Sequence, residues 1–154
     1  MAANLRSRSC VRSAVVRNMF SVLLAEPDEQ EAMDEVVGRI VANLGIEPPV
    51  AERAVGIILD FLATEGPPDN VQKLIARLPG GAEAIEEARA AAGGAMFGGM
   101  GGIMGVGSRL MAAGLNMGEI QGVSRELISY AREKAGREDV DGIIAAIPGL
   151  SQFI

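Results

Sequence analysis

Histidine and tryptophan are absent from this chain, cysteine and tyrosine occur once each, and aromatic residues make up 3% of it. The missing histidine removes His-dependent catalytic triads, two-His zinc sites and axial haem ligation. Cys10 alone can form neither an internal disulfide nor a thiolate metal site, and as a nucleophile it would lack a histidine partner. It reads as an incidental residue of the N-terminal segment. With so few rings, a core has to be built from Val, Ile, Leu, Ala and Met, which suits close-packed helices better than an aromatic-rich sheet. Basic residues are scarce as well: the net charge is −6. Nucleic-acid affinity rests largely on Lys and Arg contacts to phosphate, so nucleic acid is not an expected partner.

What the chain does have is apolar residue, 49% of 154. That is enough for one domain, or two very small ones, burying roughly two-thirds of the surface the unfolded chain exposes. The first 32 residues read differently from the rest. Met1 to Ala25 holds Arg6, Arg8, Arg12 and Arg17 with no acid, and an apolar run from Met19 to Ala25 precedes the polar "EPDEQEA". A secretory signal, an Arg-rich presequence and an amphipathic surface helix are alternatives here. The apolar run is short for a signal, and Leu23-Leu24-Ala25 matches a cleavage site poorly. The plainer reading is a disordered tail, or a start codon placed too early, with Met33 opening the domain. On that reading the chain is cytoplasmic, and it is exported if residues 1–25 target it.

From Met33 onward the chain repeats itself. When Gly45 is laid on Gly114, Val71 falls on Val140, Pro79 on Pro148 and Gly80 on Gly149 without a gap. Val71, Leu74, Ile75 and Leu78 stand at i, i+3, i+4, i+7, and Val140, Ile143, Ile144 and Ile147 repeat that spacing, so both segments are short amphipathic helices. Each ends in Pro-Gly, because proline resists continuing a helix and glycine accepts the left-handed residue that follows one. Acids open each of them, Asp69 in one and Glu138 with Asp139 in the other, where the helix dipole favours negative charge. Upstream lie longer helices, Pro49 to Thr64 and Met117 to Ala135, the second capped by Asn116. Further upstream still, Met33 to Leu44 matches Ile103 to Ala113. There Gly107 takes the place of Gly38, and the expectation is that Gly107 lets two helices approach closely.

The predicted fold is therefore all-α: two pseudo-repeated three-helix units, residues 33–80 and 103–149, packed as one domain over 33–154. A connector over 81–102 joins them, made of a polar helix in "GGAEAIEEARAAAG" and a Gly/Met-rich stretch. Leu150, Phe153 and Ile154 are expected to dock the C-terminus on the core.

The connector belongs to the longest uncharged run, "AAAGGAMFGGMGGIMGVGS" from Ala90 to Ser108, bracketed by Arg89 and Arg109. It contains neither G-K-[ST] nor a G-x-G-x-x-G spacing, so nucleotide binding is not expected. Its length approaches that of a membrane span and it holds G-x-x-x-G steps, but glycine and alanine contribute little transfer energy. Membrane contact is the less favoured reading. "REDVD" and "EPDEQE" lack Ca²⁺-loop spacing and read as solvated acidic helix starts. Glu52 with Arg53, and Arg125 with Glu126, read as exposed surface pairs. Tyr130 falls on Phe61 and reads as a core ring with its hydroxyl at the edge. No catalytic, cofactor-binding or metal-ligating residue is expected, and no cofactor.

"VAERAVGIILDFLATEGPPDNVQKLIARLPG", the Gly/Met connector and "GLNMGEIQGVSRELISYAREKAGREDVDGIIAAIPGLSQF" together resemble a bacterial family of small helical proteins, common in alphaproteobacteria and classed as a domain of unknown function. The resemblance covers Met33 to Ile154. It implies an all-helical fold and a start near Met33, and brings no catalytic residues. The function expected is that of a non-enzymatic interaction or structural module, binding itself or another protein. Methionine adapts to varied surfaces, which makes Met96, Phe97, Met100 and Met104 the candidate contacts. The alternative is a membrane-associated or exported protein using the basic N-terminus or the connector.

Overall fold

The computed structural model describes residues 29–91, 102–152 and 154, and all the regular structure among them is helical. Its helices are α1 (Glu29–Leu44), α2 (Pro48–Glu65), α3 (Pro68–Arg77), α4 (Gly81–Ala91), α5 (Ile103–Ala112), α6 (Met117–Ala135) and α7 (Arg137–Ala146), followed by a 3₁₀ turn at Leu150–Gln152. Residues 29–32 are already helical, upstream of Met33.

Local chemistry sets most of the other bounds. Pro48 and Pro49 open α2 and Pro68 opens α3, at positions where the missing N–H costs nothing. At α6 the Asn116 side chain accepts from Glu119 N at 3.0 Å, while the Glu119 carboxylate accepts from Asn116 N at 2.8 Å, a reciprocal capping box. α3 and α7 both run out just before a Pro-Gly. Gly80 and Gly149 take φ of 83° and 87°, a left-handed backbone that glycine adopts without strain.

α2 lies at the centre, with Ala54 to Leu62 buried without a break. α1, α3, α4, α5 and α6 all pack on it. α1 also packs on α6, and α3 packs on α7. The sequence offset recurs in the elements: α2 and α6 start at equivalent positions, and α3 and α7 match at both ends. Asn70 Nδ2 even donates to the Asp139 carbonyl at 3.4 Å, joining two positions that the self-alignment equates. Leu74, Leu78, Leu127, Ile143 and Ile147 fill the space between the α3–α7 pair and the long helices. Leu150 is buried and Ile154 half-buried against this core, as expected of the C-terminus, while Phe153 lies outside the described residues.

Two expectations are corrected. α4 is not a mere connector, since its pairing with α2 is the most extensive helix contact among the described residues. Gly81, Ile85 and Ala88 are buried there. The contact is close because Gly56 of α2 has no side chain: a Cβ at that position would run into the Ala84 carbonyl and lie 3.2 Å from Ala88 Cβ. Gly38 and Gly107, by contrast, mediate no close approach among the described residues: outside their own helix, nothing described lies within 4 Å of where their Cβ atoms would stand.

Candidate interaction surface

Three of the four expected contact residues, Met96, Phe97 and Met100, lie outside the described residues. Met104 is on the second residue of α5 and is 78% exposed, the most exposed large apolar side chain among those described. At 100° per residue, Met104, Gly107, Ser108 and Met111 share an arc of about 100° on one side of this helix. Ser108 is exposed and Met111 is 49% exposed, so the arc faces solvent. Met117, at the start of α6, is 48% exposed nearby in sequence. Leu110, on the opposite side, is buried. Met111 and Met117 were not singled out from the sequence. The i, i+3, i+4, i+7 spacing from Met104 was the signal available for Met111.

The one charged residue of α5, Arg109, points inward. Its Nη1 lies 2.9 Å from Asp60 Oδ2, and its Nη2 donates to the Ala88 carbonyl at 3.3 Å. Arg89, at the end of α4, donates from Nε to the other oxygen, Oδ1, at 2.6 Å. The two arginines that bracket the uncharged run are thus held on one carboxylate. Asp60 is buried at 8% exposure in the middle of α2, where an unpaired carboxylate would be costly. An aspartate inside the apolar run "GIILDFLA" was the sequence signal for this pairing, although it did not say with what. α5 consequently presents no free charge to solvent.

A second charged cluster surrounds Tyr130, whose ring is fully buried as its match to Phe61 implied. The hydroxyl donates to Glu35 Oε2 at 3.1 Å. Arg39 and Lys134 lie 5.2 and 5.3 Å from the ring centroid, within cation–π range. Arg39 bridges Glu35 and Glu133, and Lys134 reaches Glu35 at 3.2 Å. Hydrogen bonds from Lys134 and then from Tyr130 hold the Glu35 carboxyl below its usual value. The Glu133 carboxylate raises Arg39. Burial, followed by the bond to Glu35, pushes the Tyr130 phenol up to about 12. Such a phenol stays protonated at neutral pH, and the cluster ties α1 to α6.

An open groove of about 280 Å³ is edged by Asp34, Glu52, Glu83 and Glu87. It holds carboxylates and no nucleophile or cation. Among the described residues no three His, Cys, Asp or Glu side chains are grouped to hold a metal ion. Where α2, α3, α6 and α7 meet, the core leaves a wholly apolar void of about 10 Å³, at the lower limit for one water molecule. Every buried side-chain nitrogen and oxygen among the described residues has a partner. None of the described helices is long and apolar enough to cross a membrane. Comparison of the chain with protein-family models, with curated proteins and with solved structures finds no match.

Proposed function

We propose that this chain is a non-enzymatic helical interaction module that binds through the exposed face of α5. The observation that carries this reading is Met104, a large apolar side chain left 78% exposed on a helix whose only charge is turned inward. Exposed apolar patches on folded domains mark contact sites, and methionine conforms to varied partners. The charged clusters support the same reading, because each is consumed in holding helices together: Asp60 joins α2 to α4 and α5, and Tyr130 with Glu35 joins α1 to α6.

Photo-crosslinking in living cells tests the proposal. A photoreactive residue at position 104 should give discrete protein adducts, and the same residue at exposed Arg125 of α6 should not. Adducts at 104 no stronger than at 125 would overturn it.

A further inference from the structure

We propose that the partner of this face is a second copy of the chain, with the two α5 helices packed antiparallel about a two-fold axis that passes between Gly107 and Ser108. The proposal rests on the preceding one and names its partner.

The face is self-complementary in sequence. Met104, Gly107, Ser108 and Met111 read M-x-x-G-S-x-x-M, so reversing the helix keeps a methionine at each end and two small residues in the middle, with Gly and Ser exchanged. A two-fold dimer presents the same patch from both copies, so residue i of one meets j of the other and j meets i. Centred between Gly107 and Ser108, that operation sets Met104 against Met111 of the other copy, twice, and puts the two smallest side chains at the crossing.

Gly107 supplies the second argument. It sits inside a helix with open space above it, so its bare backbone serves no contact among the described residues. Glycine at such a position costs about 1 kcal/mol relative to alanine. A second helix lying over it would use the gap.

Charge permits a second copy at this face. The net charge is −6, and the acidic surfaces of two copies repel. The exposed side of α4, for example, carries Glu83, Glu86 and Glu87. On the α5 face the copies meet with no like charges opposed, because Arg109 is committed to Asp60 in each. An interface confined to one helix per copy is at the small end of stable assemblies, so the dissociation constant is expected on the order of micromolar.

Sedimentation velocity on the full chain over a concentration series, from high nanomolar to several hundred micromolar, tests this. Wild type should pass from monomer to dimer. Met104→Glu combined with Met111→Glu should weaken the dimer by about tenfold or more. Met104→Glu combined with Met111→Lys should restore it, since each glutamate then faces a lysine of the other copy. Gly107→Leu should also abolish the dimer, while circular dichroism and thermal unfolding show the monomer still folded. A wild type that stays monomeric, or a double-glutamate variant that dimerises like wild type, overturns the proposal. A Glu/Lys variant no stronger than the double glutamate overturns the antiparallel register on which it depends. The crosslinker at 104 separates this proposal from the one before it. Adducts only to other proteins, or only within one chain to residues 92–101, overturn self-docking. The former leaves the interaction module standing, and no specific adduct at all removes both.

Discussion

Arg89 and Arg109 close on opposite oxygens of the same Asp60 carboxylate, at 2.6 and 2.9 Å, so the two ends of the glycine-rich run are anchored to one point on the central helix. Replacing Asp60 by Asn keeps the size but removes the charge that both guanidinium groups face. Breaking a fully buried pair costs about 3–5 kcal/mol. The Arg89 side chain is 58% exposed, so solvent offsets part of the loss and about 2–3 kcal/mol is expected for Asp60→Asn. Arg109→Ala should cost more than Arg89→Ala, because Arg109 is less exposed and also caps the Ala88 carbonyl. Urea unfolding of the three variants measures the order, and equal losses for the two arginines would contradict it.

Gly56→Ala and Gly38→Ala should move stability in opposite directions, though both place alanine in a helix. At Gly56 the new methyl meets the backbone of Ala84, which cannot turn aside as a side chain can. Overpacking of this kind costs about 1–3 kcal/mol, more than the helix propensity gained. At Gly38 the methyl enters open space, and a gain of about 0.5–1 kcal/mol is expected. Thermal unfolding midpoints on the two sides of wild type are the expected result.

The reach of the sequence can be judged residue by residue. Helix ends were legible because their causes are local: prolines at the starts of α2 and α3, Asn116 before α6, Pro-Gly after α3 and α7. The role of α4 was not, since its buried side holds one large apolar residue, Ile85, beside Gly81 and Ala88, and its glutamates dominate the pattern. Nor was the pairing of Asp60 with Arg89 and Arg109, which lie 29 and 49 residues away, distances no periodicity spans. Gly107 was given a contact within the chain from its match to Gly38, yet both face open space. Met104 was legible as a candidate because methionine inside an uncharged run has no obvious place in a core.

The caps of the two long helices differ in a way that mutation should reveal. Asn116 and Glu47 precede α6 and α2 at equivalent positions, but only Asn116 caps with its side chain. Asn116→Ala should cost about 1 kcal/mol and Asn116→Ser little, since serine also accepts from the N3 amide. Glu47→Ala should stay within about 0.5 kcal/mol of wild type. Chemical denaturation would expose an error if Glu47→Ala proved the more damaging.

Tyr130 is the sole tyrosine and the chain lacks tryptophan, so the near-ultraviolet absorbance of tyrosinate reports this one group. In the folded chain it should titrate near 12, and in the urea-unfolded chain near the ordinary 10. Because folding raises the value, the phenol's contribution to stability is complete below pH 10 and fades as the pH climbs through about 12. Tyr130→Phe lacks that part of the alkaline loss, although at neutral pH it gives up the bond to Glu35. Glu35 acts at the other end: its lowered value means stability present above the ordinary carboxyl range and lost as the pH falls through the folded-state value. Glu35→Gln should therefore flatten the acid limb of the stability profile, just as Tyr130→Phe flattens the alkaline one. A folded-state phenol titrating at 10, with no separation from the unfolded chain, would show that the ring is wetter than its contacts with Glu35, Arg39 and Lys134 imply.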